Sequence, residues 1–372
     1  MKKFLVYGLS NGFGGVESIV LNMCKQLSKN NYFDILLSND NCSYSEIFAT
    51  YPTIGRINIT PWGKSRSKFR AELVEIFKER EYDYVWFNGC IMSNVDFFVI
   101  SKKYSKAKTI AHSHGSSFEE KNIFRRIILL GLHYYNRNKF LTLTDIPCMC
   151  SRKSGFWFYG KKYIKNYEVH VINNGIDASK YKFDKDTRRL YREELGIEDT
   201  THAVFHAGRL TYVKNQKFLL DIISVIVKYG CKAKLIIAGD GPLKKELLEY
   251  AKIRGVFEHV IFLGNRTDIA QLYQAADCFV LPSFHEGFPV TLIEAQASGL
   301  PCFVSCNVTP EVDVSGLVTF LDIKSQSVEK WANCIIQKIR SSNRENGYNL
   351  ICNKRFSIDY VCYDFLEYIK SN

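Results

Sequence analysis

The amino-acid sequence predicts an α/β fold made of two doubly wound parallel sheets. The chain has 372 residues, which is more than one hydrophobic core usually supports, so two domains are expected. Short apolar runs alternate with stretches of helical period along the chain, and this repeated β–α order is typical of parallel sheets. Several runs are almost continuously apolar, as strands are when helices cover both faces of a sheet.

The predicted elements follow this order from the N-terminus onward. The strands are Phe4–Gly8, Phe33–Ser38, Tyr84–Asn88, Thr109–His112, Val169–Ile172, Ala203–Ala207, Ala233–Ala238, Val260–Leu263, Cys278–Pro282 and Cys302–Ser305. Helical patterns include Val16–Ser28, Asp184–Asp199, Asn215–Tyr229, Leu243–Arg254, Ile269–Ala275 and a final aromatic helix, Tyr360–Ile369. The first domain is expected over residues 1–168, and the second, opening with the strand at Val169, over 169–356. Two such domains facing each other across a cleft would bind a ligand at the carboxyl ends of their strands.

The charge balance favours an anionic partner. Lysine and arginine number 50 against 38 aspartates and glutamates, a formal net charge of +12. This suits phosphorylated small molecules, nucleic acid or an anionic membrane face. The twelve cysteines are irregularly spaced and no secretory signal is visible, so reduced thiols in a cytoplasmic protein are expected. No apolar run approaches the ~20 residues of a membrane span, so any membrane contact is expected to be peripheral.

The segment Phe284–Pro301 carries the strongest functional signal. It contains a glycine turn, a proline near the first helical position, a helix, and a glycine–proline stop. Unbonded N–H groups at such a helix start form an anion site; here they belong to Phe288, Val290 and Thr291. Glu286 and Glu294 suit the hydroxyl groups of a sugar or ribose rather than phosphate. The alternative is an ordinary capped helix with an acidic first turn.

A second candidate site follows the strand Ala203–Ala207. Arg209 and Lys214 lie five positions apart on the strand-to-helix loop. Together they are suited to neutralise a diphosphate, because arginine offers a bidentate fork and lysine a compact charge. Solvated loop charges are the alternative.

Two glycine-rich turns follow predicted strands. Gly14 and Gly15 precede the first helix, in a turn that lacks a full dinucleotide or P-loop pattern. Gly239–Pro242 is a similar turn in the second domain. Such turns allow close approach to a ligand, but Gly239–Pro242 is equally explained as a helix start that uses its proline.

His112 and His114 end the strand that begins at Thr109. Ligand-facing residues of doubly wound sheets lie at this position, and either imidazole is able to bind a hydroxyl group of a ligand. Core histidines with structural partners are the alternative. Asp184-Lys185-Asp186 matches a D-x-D metal pattern, but it lies in a charged connector, and no metal is expected.

The stretch Lys121–Lys165 interleaves basic residues with aromatic and aliphatic ones. This composition suits contact with an anionic membrane surface. A helix that packs on the core and exposes a basic face is the alternative.

Over essentially its full length the chain resembles the retaining glycosyltransferases of family 4, which have the GT-B fold. The resemblance rests on Gly14-Gly15 with Glu17, the loop Gly208–Asn215, the turn Gly239–Pro242, and Glu286 with Glu294 seven residues between. The chain is similar in particular to bacterial exopolysaccharide and capsule transferases, which share a segment like His112–His114.

The resemblance implies a role for each candidate residue. Arg209 and Lys214 would neutralise the donor diphosphate, Glu286 would face the sugar, and Glu294 would bind the ribose. The remaining implied donor contacts are Gly14, Gly15, Gly239, Arg266, Gly287, Phe288, Pro289 and Val290. One of His112 and His114 would lie on the other side of the transferred hexose. The last helix, within 357–372, would pack back on the acceptor-binding first domain.

The function implied is transfer of a hexose or N-acetylhexosamine, with retention and without a metal or other cofactor. The donor would be a nucleoside diphosphate sugar, with UDP the expected nucleotide. The acceptor would be a lipid-linked or oligosaccharide precursor of a cell-surface polysaccharide, used at the inner face of the cell membrane. A sugar-nucleotide epimerase on a similar fold is the alternative. Nucleic-acid binding is disfavoured, because the positive charge is not concentrated in a recognised module.

Overall fold

The computed structural model describes residues 1–12, 14–38, 42–115, 122–324, 327–339, 344 and 346–372. Phe13 of the first glycine turn and Lys121 of the basic stretch therefore lie outside the described residues. The chain divides into two compact units. Unit 1 comprises Met1–Gly175 and Ile358–Asn372, and unit 2 comprises Ile176–Ser357.

Unit 1 contains a seven-stranded parallel sheet of order β3-β2-β1-β4-β5-β6-β7. Its strands are β1 Lys2–Tyr7, β2 Asn31–Leu37, β3 Ile54–Asn58, β4 Tyr84–Gly89, β5 Lys108–Ser113, β6 Ile146–Met149 and β7 His170–Val171. Its described helices are α1 Gly15–Leu27, α2 Glu46–Thr50, α3 Arg66–Glu79, α4 Asp96–Tyr104, α5 Ile123–Leu143, α6 Arg152–Phe158, α7 Lys161–Asn166 and α15 Ile358–Ser371. The central strands are buried on both faces, as their unbroken apolar runs predict.

The last helix of the chain, α15, belongs to unit 1. The Phe365 ring lies 4.8 Å from that of Trp86 on β4. Asp364 Oδ2 lies 2.9 Å from His170 Nε2 on β7, and the Tyr368 hydroxyl donates to a β6 carbonyl at 2.8 Å. These contacts fasten the end of the chain to three strands of the first sheet.

Unit 2 contains a six-stranded parallel sheet of order β10-β9-β8-β11-β12-β13. Its strands are β8 His202–Ala207, β9 Ala233–Ala238, β10 Val260–Gly264, β11 Cys278–Leu281, β12 Cys302–Ser305 and β13 Val318–Leu321. Its described helices are α8 Lys185–Glu194, α9 Gln216–Lys228, α10 Lys244–Ile253, α11 Ile269–Ala275, α12 Val290–Ala297, α13 Val328–Ile339 and α14 Gly347–Asn353. Because all strands run parallel, the loops after β8, β9 and β11 emerge at one edge of this sheet.

The structure corrects the predicted order in two respects. The strand at Val169–Ile172 does not open the second domain; as β7 it closes the first sheet, pairing with β6 through His170 and Val171. Three strands, β3, β6 and β13, were not predicted. They lie at or next to the sheet edges, and β3 and β6 contain a glycine and a proline respectively, which weaken the strand pattern.

Candidate active site

The loops after β8 and β9 in unit 2 pack backbone against backbone. Gly208 N–H donates to Ala238 O at 2.9 Å, and Gly239 adopts a φ of +134°. A Cβ at Gly239 would clash with the Gly208 carbonyl oxygen, and one at Gly241 with Leu210. Close packing of the two loops therefore accounts for both glycines. Direct contact of Gly239 with a donor stays a prediction.

The loop after β8 is also fastened to the loop after β11. Asn215 is left-handed, with a φ of 54°, and its amide donates to Pro282 O at 3.2 Å. Phe284 N–H donates to Val213 O at 2.8 Å, and the Phe284 ring stacks on Tyr212 with centroids 4.8 Å apart. These contacts fix the position of Lys214 relative to the segment that carries Glu286.

Lys214 and Glu286 form an ion pair. Lys214 Nζ lies 2.6 Å from Glu286 Oε1, and the two side chains are only 19% and 15% exposed. The Ser283 hydroxyl donates to the same carboxylate oxygen at 3.0 Å. The two predicted residues are therefore brought together, but the lysine charge is matched by a carboxylate in this state.

Arg209 differs from Lys214 in its surroundings. Its side chain is exposed, and among the described residues it has no ion-pair partner. Its carbonyl oxygen accepts a hydrogen bond from Gln216 Nε2 at 3.0 Å, which holds its backbone at the start of the loop. The guanidinium is thus open to an anionic ligand.

The start of α12 offers unbonded donors. Pro289 caps the helix, which begins at Val290. Within the part of the chain that the structure describes, the N–H groups of Val290 and Thr291 have no acceptor, and the buried Thr291 hydroxyl has no partner. The Phe288 ring instead stacks on Phe356, with centroids 5.7 Å apart. The helix start therefore presents unbonded donors where the sequence predicts an anion site; binding of an anion there stays a prediction.

Glu294 is held by two phenols. The Tyr181 hydroxyl donates to Oε1 at 2.9 Å, and the Tyr273 hydroxyl to Oε2 at 3.0 Å. The Tyr273 hydroxyl also lies 2.8 Å from Thr291 O, so its single proton is shared between two acceptors. Burial raises the pKa of Glu294, while both phenol hydrogen bonds oppose that rise. The carboxylate is therefore fixed in one orientation.

His206, at the end of β8, is a site residue that the sequence did not single out. It is fully buried, and burial together with the charge of Lys214 lowers its pKa to about 4, so the ring is neutral at pH 7. Nδ1 lies 2.9 Å from Val280 O, which only accepts, so Nδ1 carries the proton. Nε2 lies 3.3 Å from Gln216 Nε2, the group that donates to the Arg209 carbonyl. His206 thereby helps to position Gln216, which in turn holds the backbone of the Arg209 loop.

In unit 1, His112 and His114 lie on one face of β5 and its extension, as residues two apart do. Their ring centroids are 4.1 Å apart. His112 is fully buried beside Trp86, whereas His114 follows the last residue of β5 and its Nε2 lies 2.8 Å from Asn88 Oδ1. Burial lowers the pKa of His114 to about 3 and that of His112 well below its usual value. Both rings are neutral at pH 7.

The turn between β1 and α1 is closed by Glu17. Its carboxylate accepts from the Ser10 N–H at 2.8 Å, and a Cβ at Gly14 would come 2.9 Å from that carboxylate. Gly15 has no atom within 4 Å of the place a Cβ would take. The position of the Glu17 carboxylate thus accounts for the glycine at position 14. Gly15 is exposed and leaves open space at the start of α1.

Known proteins resemble the chain in sequence and in fold. Residues 187–348 match the sequence profile of the family described as "Glycosyl transferases group 1". The putative glycosyltransferase EpsF of Bacillus subtilis is 31% identical over 344 residues, which cover 87% of this chain and 84% of EpsF. The chain belongs to the group 1 glycosyltransferases.

Two further proteins extend the comparison of this glycosyltransferase. The UDP-Gal:alpha-D-GlcNAc-diphosphoundecaprenol alpha-1,3-galactosyltransferase of Escherichia coli is 28% identical over 203 residues, 51% of this chain and 52% of that enzyme. The structure of Anabaena HepE in complex with UDP-glucose is 21% identical, has a TM-score of 0.76 and matches 100% of both chains. At this identity the likeness shows the fold, which is GT-B as predicted.

In this glycosyltransferase the Arg266 guanidinium forms ion pairs with two carboxylates. Its guanidinium lies 2.7 Å from Asp268 Oδ1 and 3.2 Å from Glu194 Oε1. The guanidinium lowers the pKa of Asp268 to about 2. Contact of Arg266 with the donor stays a prediction, and its charge is matched by two carboxylates in this state.

One other sequence feature has a structural explanation. Asp184 is the N-cap of α8, accepting from the Thr187 N–H at 2.7 Å. This hydrogen bond explains the first aspartate of the D-x-D pattern.

Among the described helices, none combines the length and the apolar character needed to cross a membrane.

Proposed function

We propose that this glycosyltransferase transfers a hexose or N-acetylhexosamine from a UDP-linked donor, with retention of anomeric configuration. The observation that carries the proposal is the arrangement at one edge of the unit 2 sheet. There the exposed Arg209, the Lys214–Glu286 pair and the open start of α12 lie on loops that are fastened to one another. Cations and free N–H groups bind a diphosphate, whereas the carboxylates of Glu286 and Glu294 accept from hydroxyl groups.

In this proposal the donor displaces one partner of the ion pair. The diphosphate binds to Arg209, to Lys214 and to the N–H groups at the start of α12, where Val290 lies. Lys214 then no longer pairs with Glu286, whose carboxylate becomes free to contact the sugar. Glu294, which the hydroxyls of Tyr181 and Tyr273 already orient, accepts hydrogen bonds from the ribose hydroxyls. The cations stabilise the charge that develops on the departing nucleoside diphosphate. Because they supply this positive charge, we propose that transfer needs no metal ion or other cofactor.

The comparisons support UDP and a lipid-linked acceptor as the first choices for testing. HepE is described in complex with UDP-glucose, and the Escherichia coli relative is named for a UDP-Gal donor and a diphosphoundecaprenol-linked acceptor. We accordingly propose synthesis of a cell-surface polysaccharide on a lipid carrier at the inner face of the membrane. The irregular spacing of the twelve cysteines supports a reducing compartment. Of the two histidines, we favour His114 for the sugar contact, since it follows the end of β5.

Thermal unfolding with a panel of UDP-, GDP- and ADP-sugars tests the donor. A true donor binds only the folded chain, so at 100 times its Kd it stabilises the fold by about 2.7 kcal/mol. UDP-sugars are expected to raise Tm most. Equal shifts with all three nucleotides would contradict the choice of UDP.

The reaction itself is tested with donor, acceptor and excess EDTA. We expect a product with the donor's anomeric configuration by proton NMR, at a rate that EDTA leaves unchanged. Inverted product would refute retention, and loss of rate with EDTA would refute transfer without a metal. Epimerised donor in the absence of acceptor would favour the epimerase instead.

A further inference from the structure

The first two turns of α5 in unit 1 project into solvent and carry large apolar side chains. Every residue from Ile123 to Ile128 is exposed. Phe124 is 75% exposed, Ile127 60% and Ile128 62%, and Tyr135 farther along the helix reaches 83%. Such a cluster on one helix is an unusual surface for a folded chain, where exposed apolar residues are normally scattered singly.

The rest of α5 is anchored on its opposite face by two polar residues and one aromatic residue. The buried residues of the helix are His133, Asn136 and Phe140. His133 Nδ1 accepts from the Met92 N–H, and Asn136 donates to Met92 O, both at 3.1 Å. The first turns of the helix therefore depart from the usual arrangement, in which the apolar stripe faces the core, whereas Phe140 near its end packs in the core of unit 1.

The exposed residues form one stripe. Phe124, Ile128, Gly131 and Tyr135 stand at positions i, i+4, i+7 and i+11, which share a helix face. This face lies on the other side of the helix from His133. The side chains of Phe124, Ile127 and Ile128 lie in solvent, which contradicts, for these residues, the alternative of a helix that packs on the core. Phe158 and Tyr159, farther along the same basic stretch, are buried in the core of unit 1, as that alternative expects.

The charge around the stripe identifies its partner. Residues 122–167 contain nine lysines and arginines and one acidic residue, Asp145, and that carboxylate is paired with Lys102 at 2.5 Å. Arg125 and Arg126 lie within the projecting turns and are exposed. An apolar stripe flanked by cations matches a bilayer with anionic headgroups, where acyl chains cover the apolar residues and phosphates face the arginines.

We propose that the stripe Phe124–Tyr135 is a membrane-docking element that inserts into the surface of an anionic bilayer. The inference deepens the proposed function, because a lipid-linked acceptor is reached at such a surface. Binding to lipid does not itself require donor or acceptor. Its failure is therefore distinguishable from failure of the proposed transfer reaction.

Co-sedimentation of the full chain with vesicles tests the proposal. Vesicles of phosphatidylglycerol and phosphatidylcholine are compared with vesicles of phosphatidylcholine alone. We expect the double variant Phe124→Ala/Ile128→Ala to lose about tenfold or more in partitioning to the anionic vesicles, because two apolar side chains no longer insert. The matched control is Leu190→Ala/Ile253→Ala, which removes side chains 54% and 79% exposed on unit 2.

A charge variant separates the apolar and the ionic contributions. Arg126→Glu is expected to weaken binding to anionic vesicles by about tenfold or more while leaving binding to neutral vesicles unchanged. Arg189→Glu, an exposed arginine on α8, makes the same charge change in unit 2 and is expected to have a small effect. Equal losses in the variants and their controls would overturn the assignment, as would a wild-type chain that stays in the supernatant.

A second copy of the chain is the other occupant that the stripe would fit. Sedimentation velocity without lipid distinguishes it. A wild-type dimer that dissociates in Phe124→Ala/Ile128→Ala would overturn the proposal, whereas a monomer for both supports it. Thermal shifts with UDP-sugar are expected to be the same in this variant and the wild type, since Phe124 and Ile128 lie in unit 1.

Discussion

Replacing Tyr181 with phenylalanine removes one hydrogen bond to Glu294 and leaves the packing of the ring in place. The phenol donates to Oε1 at 2.9 Å, and a hydrogen bond to a charged group contributes about 1.5–3 kcal/mol. Tyr273 is the weaker support, because its proton is shared with Thr291 O. If the Tyr181 bond serves to orient Glu294 for the ribose, kcat/KM for the donor falls by about 10- to 100-fold.

The assay is the initial rate over a range of donor concentrations and pH. We expect the donor KM to rise while kcat changes little, because the lost interaction binds substrate and transition state alike. Burial raises the pKa of Glu294 and the phenols lower it, so removing one phenol raises the pKa further. The carboxylate accepts hydroxyl groups only when ionised, so the acid limb of kcat/KM is expected to move to higher pH in Tyr181→Phe.

Tyr250→Phe is the matched control. The Tyr250 hydroxyl donates to Asp221 Oδ1, also at 2.9 Å, but this pair joins α9 and α10 away from the candidate site. Loss of stability by about 1.5–3 kcal/mol is expected in both variants. A normal donor KM and an unmoved acid limb in Tyr181→Phe would refute the positioning of Glu294 by this phenol, as would equal kinetic changes in the control.

Three further predictions test other parts of the molecule. Lys214→Met is expected to lower kcat/KM by about 10²- to 10³-fold, whereas Lys217→Met, whose amine pairs with a surface glutamate, leaves initial rates unchanged. Gly239→Ala is expected to lower the free energy of unfolding in urea by about 2–4 kcal/mol, because its Cβ meets the neighbouring loop; Gly255→Ala, with a φ of +67° and open space, costs about 1 kcal/mol. Phe365→Ala is expected to cost about 3–5 kcal/mol in the same measurement, because the ring is fully buried in unit 1.

The sequence predicted the sheets where burial is most complete. The runs at Phe4 and Tyr84 become β1 and β4, inner strands whose faces are both covered, and no charged residue interrupts either apolar run. The strand β3, at an edge of its sheet, reads Ile-Gly-Arg-Ile-Asn. One exposed face lets polar residues and glycine enter, so the signal that identifies a buried parallel strand is absent there.

The sequence predicted which loops carry the residues of the candidate site, but not which of these residues contact one another. The order of strands and helices placed Arg209, Lys214 and Glu286 at the carboxyl ends of strands. It contained no information that Lys214 and Glu286 are in contact, because β8 and β11 are neighbours only through a crossover in the sheet. The bond between Tyr181 and Glu294 spans 113 residues and is invisible to local patterns for the same reason.

The ion pair of Lys214 and Glu286 resolves a conflict that the sequence alone presents, a carboxylate placed beside a diphosphate site. With no ligand bound, the pair at 2.6 Å leaves neither charge unpaired among largely buried side chains, where an uncompensated charge is costly. On the proposed function, an arriving diphosphate meets Arg209 first, since Arg209 is the exposed cation. Lys214 then exchanges one anionic partner for another, and the energy of its contact with phosphate is offset by the lost contact with Glu286. The freed carboxylate gains stabilisation only if it finds a new hydrogen-bond donor, which the hydroxyl groups of a sugar provide and a bare nucleoside diphosphate does not.

The ion pair therefore favours binding of a nucleotide that carries its sugar. Glu286→Gln is expected to narrow the difference in affinity between UDP and the UDP-sugar in a binding titration. An unchanged ratio of the two affinities would show that Glu286 does not sense the sugar.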